Sequence, residues 1–206
     1  MLAVSKHFFE ISVATSNHHL IDAPSAWVVR FLPLIPKEGE VLDVACGSGR
    51  HARLLQAAGH RILTLDRDAA ALAAVAATGI STLQIDLEAM TDNRPAWPFE
   101  DSRFAAIVVT NYLFRPLLPL LTASLVPGGV FLYETFGVGN EKFGKPSNPD
   151  FLLRPGELLE TARNAATGPL QVVGYECGRI DFPRAAIVQR ICAVRTAAAS
   201  LDLPIN

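Results

Sequence analysis

The sequence predicts an α/β fold built on a doubly wound, mostly parallel sheet. The stretch Val41-Leu-Asp-Val-Ala-Cys-Gly-Ser-Gly-Arg-His-Ala-Arg-Leu-Leu55 reads as a short buried strand, a glycine turn and a helix. Further apolar runs at 61–65, 80–85, 103–110 and 130–134 alternate with helix-patterned stretches, as βα repeats do. Two of these runs end in acids, Asp66 and Asp86, at the edge where such sheets bind ligands.

The bulk numbers agree with one well-buried domain spanning 1–206. Half of the 206 residues are hydrophobic, and the mean hydropathy is +0.28. The net charge of −2 comes without a basic stripe, so no nucleic-acid partner is expected. No apolar run reaches the roughly 18 residues of a membrane helix. The N-terminus lacks the plan of a signal peptide, and Cys46, Cys177 and Cys192 are widely spaced. Together these point to a cytoplasmic protein with reduced, buried cysteines and no metal site.

Residues 1–23 read as an N-terminal extension, with Phe8, Phe9 and Ile11 as a short helix over the ligand. His18-His19 lacks ligand-spaced partners and reads as a surface pair. Pro24-Ser25 opens a helix at 26–34, which Pro33 and Pro36 end. The apolar run 41–45 is the first strand, Gly47-Ser48-Gly49 the turn, and Gly59 the stop of the first helix. The second strand, 61–65, ends in Asp66 and Arg67. Asp66 is placed to accept hydrogen bonds from ribose hydroxyls, with helix capping as its alternative and Asp68 as the rival cap. An alanine-rich helix at 69–77 and a strand at 80–85 follow, the latter ending Asp86-Leu87.

Residues 91–102 read as a polar loop and 103–110 as a central strand. A helix at 117–125 is closed by Pro127-Gly128-Gly129, which leads into a strand at 130–134. The stretch 136–150 is rich in Gly, Asn, Pro and Lys and reads as a substrate-side lid, with Gly137, Gly139 and Gly144 as hinges. Pro155 and Glu157 start the next helix, and 170–177 and 185–195 close the chain as two strands.

Gly47-Ser48-Gly49-Arg50-His51-Ala52 fits G-x-G-x-x-[GA], the dinucleotide signature, but Asp43 argues for another ligand. A carboxylate four residues before the first glycine repels a pyrophosphate and attracts a cation. Asp43-x-x-x-Gly47-x-Gly49 resembles motif I of the class I S-adenosylmethionine-dependent methyltransferases. Trp97-Pro98-Phe99 before the fourth strand and Pro127-Gly128-Gly129 before the fifth extend the resemblance, over roughly 24–195. Tyr133-Glu-Thr-Phe and the run from Asn148 to Glu157 resemble small bacterial methyltransferases related to the tellurite-detoxifying enzymes.

The resemblance implies a Rossmann-like, seven-stranded sheet whose last strand is antiparallel, and S-adenosylmethionine as cofactor. Asp43, Ala45, Cys46, Gly47, Ser48 and Gly49 then form the first contact and Asp66 with Arg67 the ribose site. Asp86 takes the adenine amino group and the Leu87 N–H a ring nitrogen, while Thr110 and Asn111 line the methionine part. Asn111, Tyr112 and Arg115 face the reacting methyl or the acceptor. Glu134 is the expected general base, with Tyr133 second. No inserted substrate domain is visible, so the acceptor is expected to be a small molecule. The alternatives are an NAD-dependent oxidoreductase and a non-catalytic nucleotide-binding module.

Overall fold

A computed structural model describes residues 23–196. The expectations for the N-terminal helix at Phe8, Phe9 and Ile11 and for His18-His19 lie outside the described residues.

In chain order the elements are α1 (Ala26–Phe31), β1 (Glu40–Val44), α2 (Arg50–Ala57), β2 (Arg61–Asp66), α3 (Ala69–Ala76) and β3 (Ser81–Gln84). There follow the short β4 (Met90–Thr91) and β5 (Arg94–Pro95), then β6 (Phe104–Thr110), α4 (Leu118–Ala123) and β7 (Leu125–Phe136). The chain closes with α5 (Glu157–Arg163), β8 (Gln171–Ile180) and β9 (Ala186–Val194). Seven strands form one sheet in the order β3-β2-β1-β6-β7-β9-β8. β1, β2, β3, β6 and β7 pair in parallel, and β9 runs antiparallel between β7 and β8.

Side-chain alternation along each strand divides the core into two layers. Val41, Ala106, Val108, Val130 and Leu132 face α1 and α2, packing on Trp27, Phe31, Ala52 and Leu55. Leu42, Val44, Ile107, Val109, Phe131 and Tyr133 face the other way, onto Leu121 of α4 and Leu158 of α5. Each fully buried Leu, Val or Ile contributes roughly 1.5–3 kcal/mol over leaving it in water. The alternation also fixes the polar residues at the strand ends. Asp43, Thr110 and Glu134 share the parity of Val41, Val108 and Leu132, so they lie on the α1/α2 face.

Several elements differ from the sequence reading. The first helix keeps its expected span but in two pieces, since α1 stops at Phe31, ahead of Pro33, and a 3₁₀ turn follows at Leu32–Leu34. The supposed loop at 91–102 begins with the β4–β5 hairpin, turned by Asp92 and Asn93 at φ 51 and 59. Those paired positive φ values are the geometry of a type I′ turn, which Asp and Asn tolerate. Leu125 belongs to β7 rather than to the preceding helix, because it pairs with Phe104 before the Pro-Gly-Gly segment shifts the register.

The 136–150 stretch is also more ordered than expected, with 3₁₀ turns at Asn140–Lys142 and Pro149–Phe151. Its first part is fixed to β9. Gly137 N–H donates to Ile187 O, and the buried Asn140 accepts from Ile187 N–H while donating to Pro146 O. Gly137 is therefore no hinge.

Candidate active site

The turn after β1 is shaped by backbone geometry that few residues accept. Gly47 and Gly49 have φ of 51 and 75, and a Cβ on Gly49 would sit 2.5 Å from Val75 of α3. In front of Gly47 lies open space, with nothing within 4 Å of where a Cβ would be. The turn is held by Cys46 N–H to Leu65 O, Gly49 N–H to Cys46 O, and Gly47 N–H to Asp66 Oδ2 at 2.8 Å. Ala45 takes φ 52, a left-handed conformation that costs a non-glycine residue about 1 kcal/mol or more.

Beside this turn a cleft of about 210 Å³ is lined by Ala45, Asp66, Arg67, Asp86, Leu87 and Tyr112, among others. The ends of β2 and β3 and the turn after β1 thus meet at one place. Asp66 is not the cap of α3. Asp68 fills that role by accepting from Ala70 N–H and Ala71 N–H, while Asp66 accepts from Gly47 N–H and Asp68 N–H. Asp86 is exposed and Leu87 is buried. Burial, with Glu88 and Asp86 nearby, pushes the Tyr112 hydroxyl well above its ordinary pKa.

Asp43 lies beneath the turn and is 1% exposed. Burial outweighs the help of the Ala52 N–H and of Arg50, and raises its pKa to about 7. Its Oδ2 has no hydrogen-bond partner. Burial and Asp43 together push the Cys46 thiol up to about 12, which leaves it un-ionised at neutral pH. Cys177, expected to be buried, is exposed on the edge strand β8, and all three cysteines are free thiols.

Thr110 and Asn111 end β6. Asn111 sits at φ 56, a conformation that Asn accepts better than most residues, and is exposed at the edge while its N–H donates to Glu134 O. His51, unflagged by the sequence reading, packs against this edge. It is 1% exposed, receives Ser25 N–H at Nε2 (3.0 Å), and places Nδ1 3.3 Å from Thr110 Oγ1. Burial and Arg50 lower its pKa to about 3. The signal present in the sequence was its place one residue inside the helix that follows the glycine turn.

Three of the residues assigned to catalysis have other surroundings than expected. Tyr133 is 1% exposed, points into the α4/α5 layer and donates its hydroxyl to Tyr112 O at 2.8 Å. Burial raises its pKa strongly, so it is no base. Arg115 does not face the reacting edge. It binds both carboxylate oxygens of buried Glu157 and the carbonyls of Asp150 and Leu152, which fixes the segment leading into α5. Burial alone would raise the pKa of Glu157, but Arg115 and Arg154 hold it below the ordinary value.

Glu134 does reach the carboxyl edge, but in engagement. Ser25 Oγ donates to its Oε1 at 2.9 Å and Arg190 Nη1 to its Oε2 at 3.2 Å.

With this geometry in view, the chain can be compared with known proteins. Residues 41–129 match the family model described as a methyltransferase domain. The matched stretch is similar to that family over less than half of the chain. The matched residues run from β1 through the Pro-Gly-Gly segment of β7.

Among solved structures, TehB from Haemophilus influenzae is similar over 82% of this chain and 61% of its own, at 18% identity and a TM-score of 0.64. The chain thus spans about three fifths of the TehB chain. An S-adenosylmethionine-dependent methyltransferase from Methanosarcina mazei aligns over 82% of this chain and 97% of its own, at 13% identity and 0.62. Another from Mesorhizobium loti aligns over 83% and 98%, at 17% identity and 0.60. At these identities the likeness is one of fold, and it is the class I methyltransferase fold expected from the sequence. No curated protein matches the sequence. Among the described residues, no helix is long and apolar enough to cross a membrane.

Proposed function

We propose that the protein transfers a methyl group from S-adenosylmethionine to a small-molecule acceptor in the cytoplasm. The observation that carries this is Asp43, a buried carboxylate with an unpartnered oxygen beneath a glycine turn that opens onto empty space. A cationic amino-acid group suits that oxygen, whereas a pyrophosphate meets repulsion from it.

When bound, S-adenosylmethionine would supply an electrophilic methyl on a sulfonium, open to in-line attack by an acceptor lone pair as the C–S electron pair leaves with sulfur. The chain's own residues bind, align and shield. Asp66, with lone pairs left beyond those given to Gly47 and Asp68, accepts from the ribose hydroxyls. Asp86 and Leu87 hold the adenine edge. Asp43 faces the ammonium, and the backbone at Thr110 and Asn111 lines the amino-acid part. Asn111, exposed at the edge, faces the acceptor.

Alignment and exclusion of water supply most of the rate, since charge is dispersed rather than created. Glu134, committed to Ser25 and Arg190, acts as a fixed charge that seats α1 against the sheet. A screen of thiols, metalloid oxyanions and carboxylates with methyl-labelled cofactor tests the reading. Label transfer to any of these supports it. Tight cofactor binding with no transfer to small acceptors counts against the small-molecule assignment.

A further inference from the structure

We infer that His51 is a positioning residue, which sets the Thr110 hydroxyl as a proton donor to the carboxylate of the cofactor's amino-acid group. The inference rests on the S-adenosylmethionine reading above and assigns a task inside that site. It starts from the Ser25 amide, which has only a proton to offer and offers it to His51 Nε2 at 3.0 Å. Nε2 must therefore carry a lone pair. The ring is 1% exposed beside Arg50, conditions that keep it neutral. A neutral imidazole with its lone pair on Nε2 carries its proton on Nδ1.

Nδ1 lies 3.3 Å from Thr110 Oγ1, so Thr110 is the acceptor of that bond. A hydroxyl that accepts still has one proton to give. Among the described residues, His51 is the only hydrogen-bond partner of the Thr110 side chain. Glu134 stands directly across the sheet from Thr110, but no hydrogen bond joins the two side chains, and the Glu134 carboxylate is held by Ser25 and Arg190. The free proton is thus left at the carboxyl edge, beside Asn111.

Asp43 identifies what should meet it. It lies on the neighbouring strand, on the same sheet face, with an unpartnered buried oxygen. One negative acceptor and one hydroxyl donor on a single face match the two charges of an amino-acid group, ammonium on Asp43 and carboxylate on Thr110.

The test is calorimetric titration of S-adenosylhomocysteine against 5′-methylthioadenosine, which lacks the amino-acid group. Thr110→Val should weaken the first about ten- to hundredfold and leave the second within about twofold. His51→Phe combined with Thr110→Val should bind S-adenosylhomocysteine no worse than Thr110→Val alone, because His51 acts through Thr110.

Nitrogen NMR of the wild-type imidazole gives a reading that needs no variant to fold, and Nδ1–H with bare Nε2 is expected. Equal losses for both ligands, no loss for either, or an Nε2–H or doubly protonated ring at neutral pH would overturn the inference while leaving the cofactor reading intact. A wild-type chain that binds neither ligand overturns the cofactor reading, and this inference with it.

Discussion

Glu134 and Arg190 stand directly opposite each other across β7 and β9, with Arg190 Nη1 3.2 Å from Glu134 Oε2. The same arginine pairs with its other cross-strand neighbour, Glu176 of β8, which Arg30 of α1 also reaches. Arg190 further lies 4.8 Å from the ring centroid of Trp27. This row of alternating charges, closed by Ser25, ties the start of α1 to the edge of the sheet where the ligand is expected.

Glu134→Gln therefore tests structure against chemistry. The row predicts a loss of about 2 kcal/mol in unfolding free energy, since Arg190 is left half-compensated in a mostly buried place. It also predicts a kcat within about tenfold of wild type. A hundredfold loss of kcat at unchanged stability would restore Glu134 as a general base.

Asp66→Ala should weaken S-adenosylhomocysteine by about 2–4 kcal/mol, through loss of a charged acceptor for two ribose hydroxyls. It should also lower stability by about 1 kcal/mol, because Gly47 N–H loses its partner. Wild-type affinity measured by calorimetry in a destabilised variant would reduce Asp66 to a brace for the turn.

Asp43 makes stability and binding depend on pH in opposite senses. Its folded pKa is raised to about 7 from an ordinary 3.8. Folding thus favours the protonated acid, and the stability it contributes is complete below about pH 4 and lost as pH rises through 7. The effect is on the order of 4 kcal/mol. Thermal melts of the ligand-free protein should fall across that window, and Asp43→Asn should flatten them. The ammonium of S-adenosylhomocysteine favours the carboxylate, so binding should strengthen with pH up to about 7 and release a proton. Calorimetry in buffers of different ionisation enthalpy reads that proton directly, and its absence would remove Asp43 from the ligand.

Arg115→Ala should cost about 3 kcal/mol, because it strips the main partner from buried Glu157. It should also free the loop ahead of α5. Limited proteolysis between Asn148 and Leu153 should accelerate in the variant, and unchanged cleavage would contradict the clamp.

Much of this was legible in the sequence because it is local. The strand, turn and helix around Gly47 and Gly49, and the acids that end β2 and β3, follow from short patterns and were placed correctly. What escaped the reading depends on partners far away in the chain. Arg115 reads as facing the acceptor because its partner, Glu157, is 42 residues on. Ser25 was readable as a helix cap, but not as the partner of Glu134, 109 residues away. The tight turn at Asp92-Asn93 was readable in principle from two residues that accept positive φ, and was passed over as loop.

The central claim is that a cation-bearing nucleoside, rather than a dinucleotide, belongs beneath the glycine turn. Side-by-side calorimetry of the full chain with S-adenosylhomocysteine and NAD tests it most directly. Binding of S-adenosylhomocysteine at micromolar concentrations, lost in Asp66→Ala, with no heat from NAD, is the predicted result. Micromolar binding of NAD with no response to S-adenosylhomocysteine would contradict it.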